Sequence, residues 1–270
     1  MKREGLPDMN TGLLLGTNLA TTLGALLGSV LIALSLGSCR SQQSGAARAF
    51  IQHGQMHEAI GAGLHHGRVA LSELADRPHV YGVGALAGLE GEVTLLDSTA
   101  IVTGVTDDGL PRPIEHPAAE ATLFAGQSVS RWTHVPLTES VPADRFEHTL
   151  AARVSEHDVD DAEPFVFVIE GGFTDVRLHV INGACPIRAR MTPGAVDESL
   201  QPFAWEALNV PGTLVGIHAI GAAGKLTHPG TSVHAHLVFT DPGTGARLTG
   251  HVEQIGVAAG AVLRLPAGDE

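Results

Sequence analysis

The sequence predicts an α+β fold dominated by twisted, mixed β-sheets with a few helices. Three observations carry that expectation. Val, Ile and Thr recur in short runs broken by Gly, Pro and Asp, the pattern of strands separated by turns. Aromatic residues are scarce, at 4%, while Gly is abundant, with 33 residues among 270. Helical periodicity is confined to a few short segments.

The elements follow in chain order. Ala46 to Gly61 reads as a helix with apolar positions at Phe50, Ile51, Met56 and Ile60. Val69 to Ala75 reads as a second, short helix capped near Ser72. Val80 to Leu96 is β-branched and punctuated by glycine. Ile101 to Val105 is a strand ending in the turn Thr106-Asp107-Asp108-Gly109. Pro111 to Pro117 reads as a loop, Ala121 to Val135 as a loosely alternating strand, and Asp144 to Val154 as a helix. Phe165 to Glu170 is a continuous apolar run, typical of a buried strand. Further strands are expected at Phe173 to Ile181, Gly212 to Ile220, Ser232 to Thr240, Leu248 to Gly256 and Ala261 to Leu265.

The formal net charge of −13 is spread along the chain, and no Lys/Arg cluster offsets it. Nucleic acid is therefore excluded as a partner, because its phosphates would be repelled. Two cysteines, Cys39 and Cys185, are too few for a disulfide framework. Cys185 sits in the turn composition Asn182-Gly183-Ala184-Cys185-Pro186 without a Cys–His signature around it.

The N-terminus reads as an export signal. Lys2 and Arg3 precede an uncharged apolar stretch from about Leu13 to Leu36, which ends Leu36-Gly37-Ser38-Cys39. A cysteine directly after small residues is the layout of a bacterial lipobox, at which the leader is cut and the cysteine lipidated. The stretch also exceeds the roughly 20 residues needed to cross a bilayer, so an uncleaved anchor is the alternative. Either reading gives a leader at 1–39, a polar tether at 40–48 and a folded domain at 49–270, exported and held to a membrane by lipid or helix. Arg40 after the cysteine, rather than Asp, favours the outer membrane or cell surface in a host with two membranes.

Fifteen histidines are present, most of them in polar surroundings, as at His65, His66, His116, His148 and His157. One group differs. His234 and His236 lie two apart in a strand pattern, so both imidazoles point to one face. The turn composition Asp241-Pro242-Gly243-Thr244-Gly245 then returns the chain to a strand carrying His251. A hairpin would bring His251 against the first two. Three histidines with an open fourth position form the donor set of a catalytic zinc site. An exposed His-x-His strand face is the alternative reading. Glu90 and Glu92 are expected on one strand face, and His218 is expected to be a packed or surface histidine.

Four ordered segments resemble the α-acetolactate decarboxylase family. They are Tyr81 to Val93 (with Leu89-Glu90-Gly91-Glu92), Phe167 to Val176, Asn209 to Gly216, and His234-x-His236 followed by Gly250-His251. The resemblance spans roughly Phe50 to Pro266. It implies decarboxylation of 2-acetolactate to acetoin and carbon dioxide, a homodimer, and Zn2+ held by His234, His236 and His251. It also implies Glu92 beside the metal. The family's active-site arginine falls on His179, with Arg177 two residues earlier on the same strand face as a possible substitute. The family threonine falls on Ala85. The family's C-terminal extension, whose glutamate reaches the site, has no counterpart before Glu270. The expected catalytic residues are therefore Glu92, His179 and Arg177, acting on a 2-hydroxy-3-oxo acid. The alternatives are a lipoprotein that binds metal or a small ligand without turnover, and a related enzyme with a changed substrate.

Overall fold

The computed structural model describes residues 49–115, 118–184 and 196–268, which fall within one compact unit. The leader, the tether, Cys39, His116 and Cys185 lie outside the described residues. Two sheets form the body. The first contains β1 (Phe50–His53), β2 (Val69–Ala70), β3 (Val80–Leu86), β4 (Glu92–Leu96), β5 (Thr99–Val105), β6 (Pro111–Pro113) and β7 (Glu120–Ser128). Its order is β1-β7-β3-β4-β5-β6, with β2 also on β7. The second contains β8 (Trp132–Leu137), β9 (Phe165–Val180), β10 (Phe203–His218), β11 (Val233–Thr240), β12 (Arg247–Val257) and β13 (Ala261–Pro266). Helices α1 (Leu71–Ala75) and α2 (Phe146–Glu156) complete the α+β class. The ladders between these strands are all antiparallel, so the expected mixture of strand directions reduces to one.

The second sheet closes on itself. β9 pairs with β10 along most of its length, β10 with β11, β11 with β12, and β12 back with β9. The apolar run of β9 is explained by its position between two cores. Phe165, Phe167 and Ile169 pack with Phe146, Leu150 and Val154 of α2. Val166 and Val168 point the other way, to Tyr81, Val83 and Ala125 of the first sheet. Gly171, at φ +153°, lies where β9 leaves β13 and joins β12; a side chain there would run into Ala261.

Several boundaries differ from the sequence reading. Ala46 to Gly61 is not one helix among its described residues. Phe50–His53 adds to β7 as a strand, Gly54 turns the chain at φ +69°, and only His57–Gly61 is helical, as a single π-turn. Val69–Ala70 is likewise strand, and the helix after it has no side-chain cap. Pro111–Pro113 is an edge strand, a place where proline's missing N–H is tolerated. Ala121 to Val135 divides into β7 and β8. Phe165 to Ile181 holds one strand of 16 residues rather than two, and β10, also 16 residues, begins well before Gly212.

Candidate metal centre

Three histidines converge between the sheets. Ala235, Leu237 and Phe239 face the α2 core, so strand alternation turns His234 and His236 toward the first sheet. The β11–β12 hairpin places His251 directly opposite His236. The ring centroids are 5.2 Å apart for His234–His236, 4.9 Å for His234–His251 and 5.5 Å for His236–His251. One nitrogen from each lies within 4.8 Å of the others, and all three residues are buried.

The donor set fits a cation. Burial first, then the positive charge His228 would carry, pushes the His234 imidazole down to about 3. Burial also drives His236 and His251 well below the usual histidine value. All three are therefore neutral at pH 7, each with a lone pair to offer. His234 Nδ1 donates to the Leu226 carbonyl at 3.1 Å, which leaves its Nε2 as the donor atom. His236 Nδ1 meets the Thr94 hydroxyl at 3.2 Å, and Thr94 meets Thr249 at 2.6 Å. The Nε2 of His236 is buried without a hydrogen-bond partner, an orphan that a metal ion would satisfy.

Carboxylates and a fourth imidazole surround this triad. Gly91, at φ +149°, sits against the Thr103 carbonyl where no side chain fits, and starts β4 with Glu92 turned inward. Glu92 Oε2 lies 3.5 Å from His236 Nε2, and its Oε1 accepts from the Ile181 N–H at 3.2 Å. Burial raises the Glu92 carboxyl to about 8, against the lowering effect of that N–H. His179, buried on β9, holds its Nε2 3.9 Å from Glu92 and donates from Nδ1 to Glu253 at 2.8 Å. Glu253 is the extra residue of a β-bulge between Val252 and Gln254, and it also pairs with Arg177 at 3.4 Å.

The site opens in two directions. An inner cavity of about 30 Å³, room for an ion and one or two waters, touches Ala85, Glu92, His179, His234 and His251. A cleft of about 330 Å³ lies outside, bordered by Arg177, His179, His228, His251 and Glu253. The structure thus brings together His234, His236, His251, Glu92 and His179. Arg177 is not among them: its side chain is 46% exposed and sits at the cleft, neutralised by Glu253. Ala85 lines the inner cavity. Glu90 follows a short 3-10 turn and is exposed, so it does not share a strand face with Glu92. His218 is a packed residue beside Phe165, with ring centroids 5.1 Å apart.

Sequence reading missed Glu253, Thr94 and His228. Thr94 lies two residues after Glu92, so strand periodicity alone would have brought it forward; Glu253 is the extra residue of a bulge, which alternation does not place. His228 belongs to the Gly- and Pro-containing connection between β10 and β11, which has no periodicity to read.

The architecture is shared with solved proteins. α-Acetolactate decarboxylase from Bacillus subtilis strain 168 superposes with a TM-score of 0.58 at 17% identity, covering 81% of this chain and 86% of that one. A Staphylococcus aureus protein of unknown function similar to α-acetolactate decarboxylase gives 0.54 at 17% identity, over 80% and 83% of the two chains. At this identity the likeness shows the fold. No curated protein sequence matches the chain. The sequence model of the α-acetolactate decarboxylases matches residues 51–265, and the chain belongs to that family.

Proposed function

We propose that this protein is a zinc-dependent decarboxylase that converts 2-acetolactate, or a closely related 2-hydroxy-3-oxo acid, to the hydroxyketone and carbon dioxide. The observation that carries the reading is a buried triad of imidazoles with the buried carboxyl of Glu92 3.5 Å from one of them. His234, His236 and His251 would hold the metal. When bound there, zinc supplies a Lewis acid for the hydroxyl and carbonyl oxygens of the substrate and for the negative charge that builds as carbon dioxide leaves.

The remaining steps fall to this chain's own residues. The bond between the carboxylate carbon and its neighbour breaks, and its electron pair stays on the hydroxyketone fragment. Glu92 delivers a proton to the neighbouring carbon that lost carbon dioxide, a role its raised pKa of about 8 suits at neutral pH. His179, oriented by Glu253, lies 3.9 Å from the carboxyl and supports its reprotonation from the cleft. The small inner cavity leaves room for the reacting atoms and little bulk water.

Acetoin and carbon dioxide released from acetolactate by the purified, zinc-loaded protein would support this reading. Stoichiometric zinc with no acetoin would overturn it and favour a binding protein on the same fold. That second reading draws on one observation: Arg177 is tied to Glu253 instead of reaching the inner cavity. Export as a lipoprotein modified at Cys39 belongs to the same proposal, supported by the charged, apolar and small-residue order of the leader.

A further inference from the structure

His228 stands apart from the triad in sequence and beside it in space. Its ring centroid is 5.0 Å from that of His251 and 6.4 Å from that of His234. It borders both the inner cavity and the outer cleft, as His179 and His251 also do. Four imidazoles around one tetrahedral ion, with metal–nitrogen bonds of about 2.0–2.1 Å, have centroids about 5 Å apart. The triad meets that spacing at 4.9–5.5 Å. His228 meets it toward His251 and overshoots it toward His234 by little more than an ångström, and in the described structure it stands outside the group of three whose ligand atoms lie within 4.8 Å of one another.

The segment that carries His228 is tied to the site. Leu226, two residues earlier, accepts the hydrogen bond that orients His234. Thr227 is buried and its hydroxyl donates to the Thr231 carbonyl at 2.9 Å. Glu147 of α2 holds the next residues, accepting from the Ser232 N–H at 3.1 Å and from the Thr231 hydroxyl at 2.5 Å. Pro229 and Gly230, the latter at φ +87°, follow His228 directly. The histidine thus sits between two anchored points on a turn, where a small rotation moves its ring without unfolding either anchor.

We infer that His228 is a fourth, displaceable ligand of the metal, holding the open coordination position at rest and swinging toward the cleft when substrate oxygens take its place. The inference rests on the proposed metal site at the triad, but not on the identity of the substrate. It gives the resting site a closed shell of four nitrogens and makes ligand exchange at one loop residue the entry step.

Cobalt(II) tests this directly, since its visible absorption reports the number and kind of its ligands. The full chain, its H228A and H228N variants and an H236A control would be loaded with Co2+ alone. Thermal melts of the metal-free forms would check folding. Loss of one ligand in four should weaken Co2+ binding in both His228 variants by more than about tenfold, beyond the least cost of losing an outer-shell partner. Their absorption should differ from wild type, and added imidazole should return the H228A spectrum to the wild-type form. Wild-type affinity and spectrum in the His228 variants, with metal lost only in H236A, would overturn the inference and leave the triad standing. Wild-type Co2+ affinity in H236A would instead overturn the triad and the inference together.

Discussion

Thr94 gives the sharpest test of how the second sheet's metal ligands depend on the first sheet. It is fully buried on β4, and its hydroxyl is the contact of His236 Nδ1 at 3.2 Å and of Thr249 Oγ1 at 2.6 Å. One hydroxyl can accept from the imidazole N–H and donate to Thr249, which places the His236 lone pair on Nε2, toward the cation. Thr94→Val keeps the shape and removes both bonds. Each buried group left without a partner costs about 1–3 kcal/mol, so with two such groups the metal-free protein should lose about 2–6 kcal/mol of stability. His236 also loses the contact that sets its tautomer, and outer-shell losses of this kind weaken metal binding about 10- to 100-fold. That range is about 1.4–2.8 kcal/mol. Chelator competition would measure the affinity and urea unfolding of the metal-free form the stability. Thr94→Ser retains the hydroxyl and should bind zinc within about threefold of wild type, well inside the outer-shell range. A Thr94→Val protein that is destabilised yet binds zinc as wild type does would refute the orienting role and leave Thr94 as core packing.

Further outcomes follow from the same geometry. Glu92→Gln preserves volume and should retain metal while turnover falls at least about 100-fold, the usual span of a lost acid–base group; metal analysis beside an acetoin assay separates the two. His251→Ala should remove most bound zinc, because it takes away the imidazole that faces both other members of the buried triad; full zinc content in that variant would place the third ligand elsewhere. The metal-free protein should be most stable near pH 6.5–7. His234, His236 and His251 have depressed folded-state values, so unfolding takes up protons below about 6.5 and stability falls as pH drops. Glu92 has a raised value, so unfolding releases its proton between 4.5 and about 8 and stability falls as pH rises through that window. The histidines outweigh it on the acid side; on the alkaline side Glu→Gln at position 92 should flatten the decline, and a melt series showing equal alkaline slopes would contradict the assignment. Finally, Cys39→Ser should leave a soluble or unprocessed precursor while wild type partitions into detergent, and identical partitioning would point to an uncleaved helix.

Much of the site was legible in the chain because it is local to strands. His234 and His236 share a face through the two-residue period, and a five-residue turn composition announced the return to His251. The continuous apolar run of β9 announced a buried strand, and the structure shows it packed between two opposing cores. Helices were less legible. Phe50, Ile51, Met56 and Ile60 fit a helical period, yet a free edge on β7 took Phe50–His53 as a strand, since backbone pairing across a sheet outweighs a weak local preference.

Which residues from other elements reach the triad is set by how the two sheets pack against each other. Whether Arg177 or His179 faces the triad depends on the bulge at Glu253, a register shift no local pattern encodes; it binds Arg177 at the cleft and leaves His179 inside. Glu92 and Thr94 meet His236 across 144 and 142 positions of sequence, and His228 meets His251 from an aperiodic turn. By itself the sequence determined the donor types and the strand faces they share, because these follow from alternation along one chain. Neutral imidazoles, an elevated Glu92 and a fourth histidine within reach depended on packing two sheets together, because burial and proximity exist only once the sheets have closed over the site.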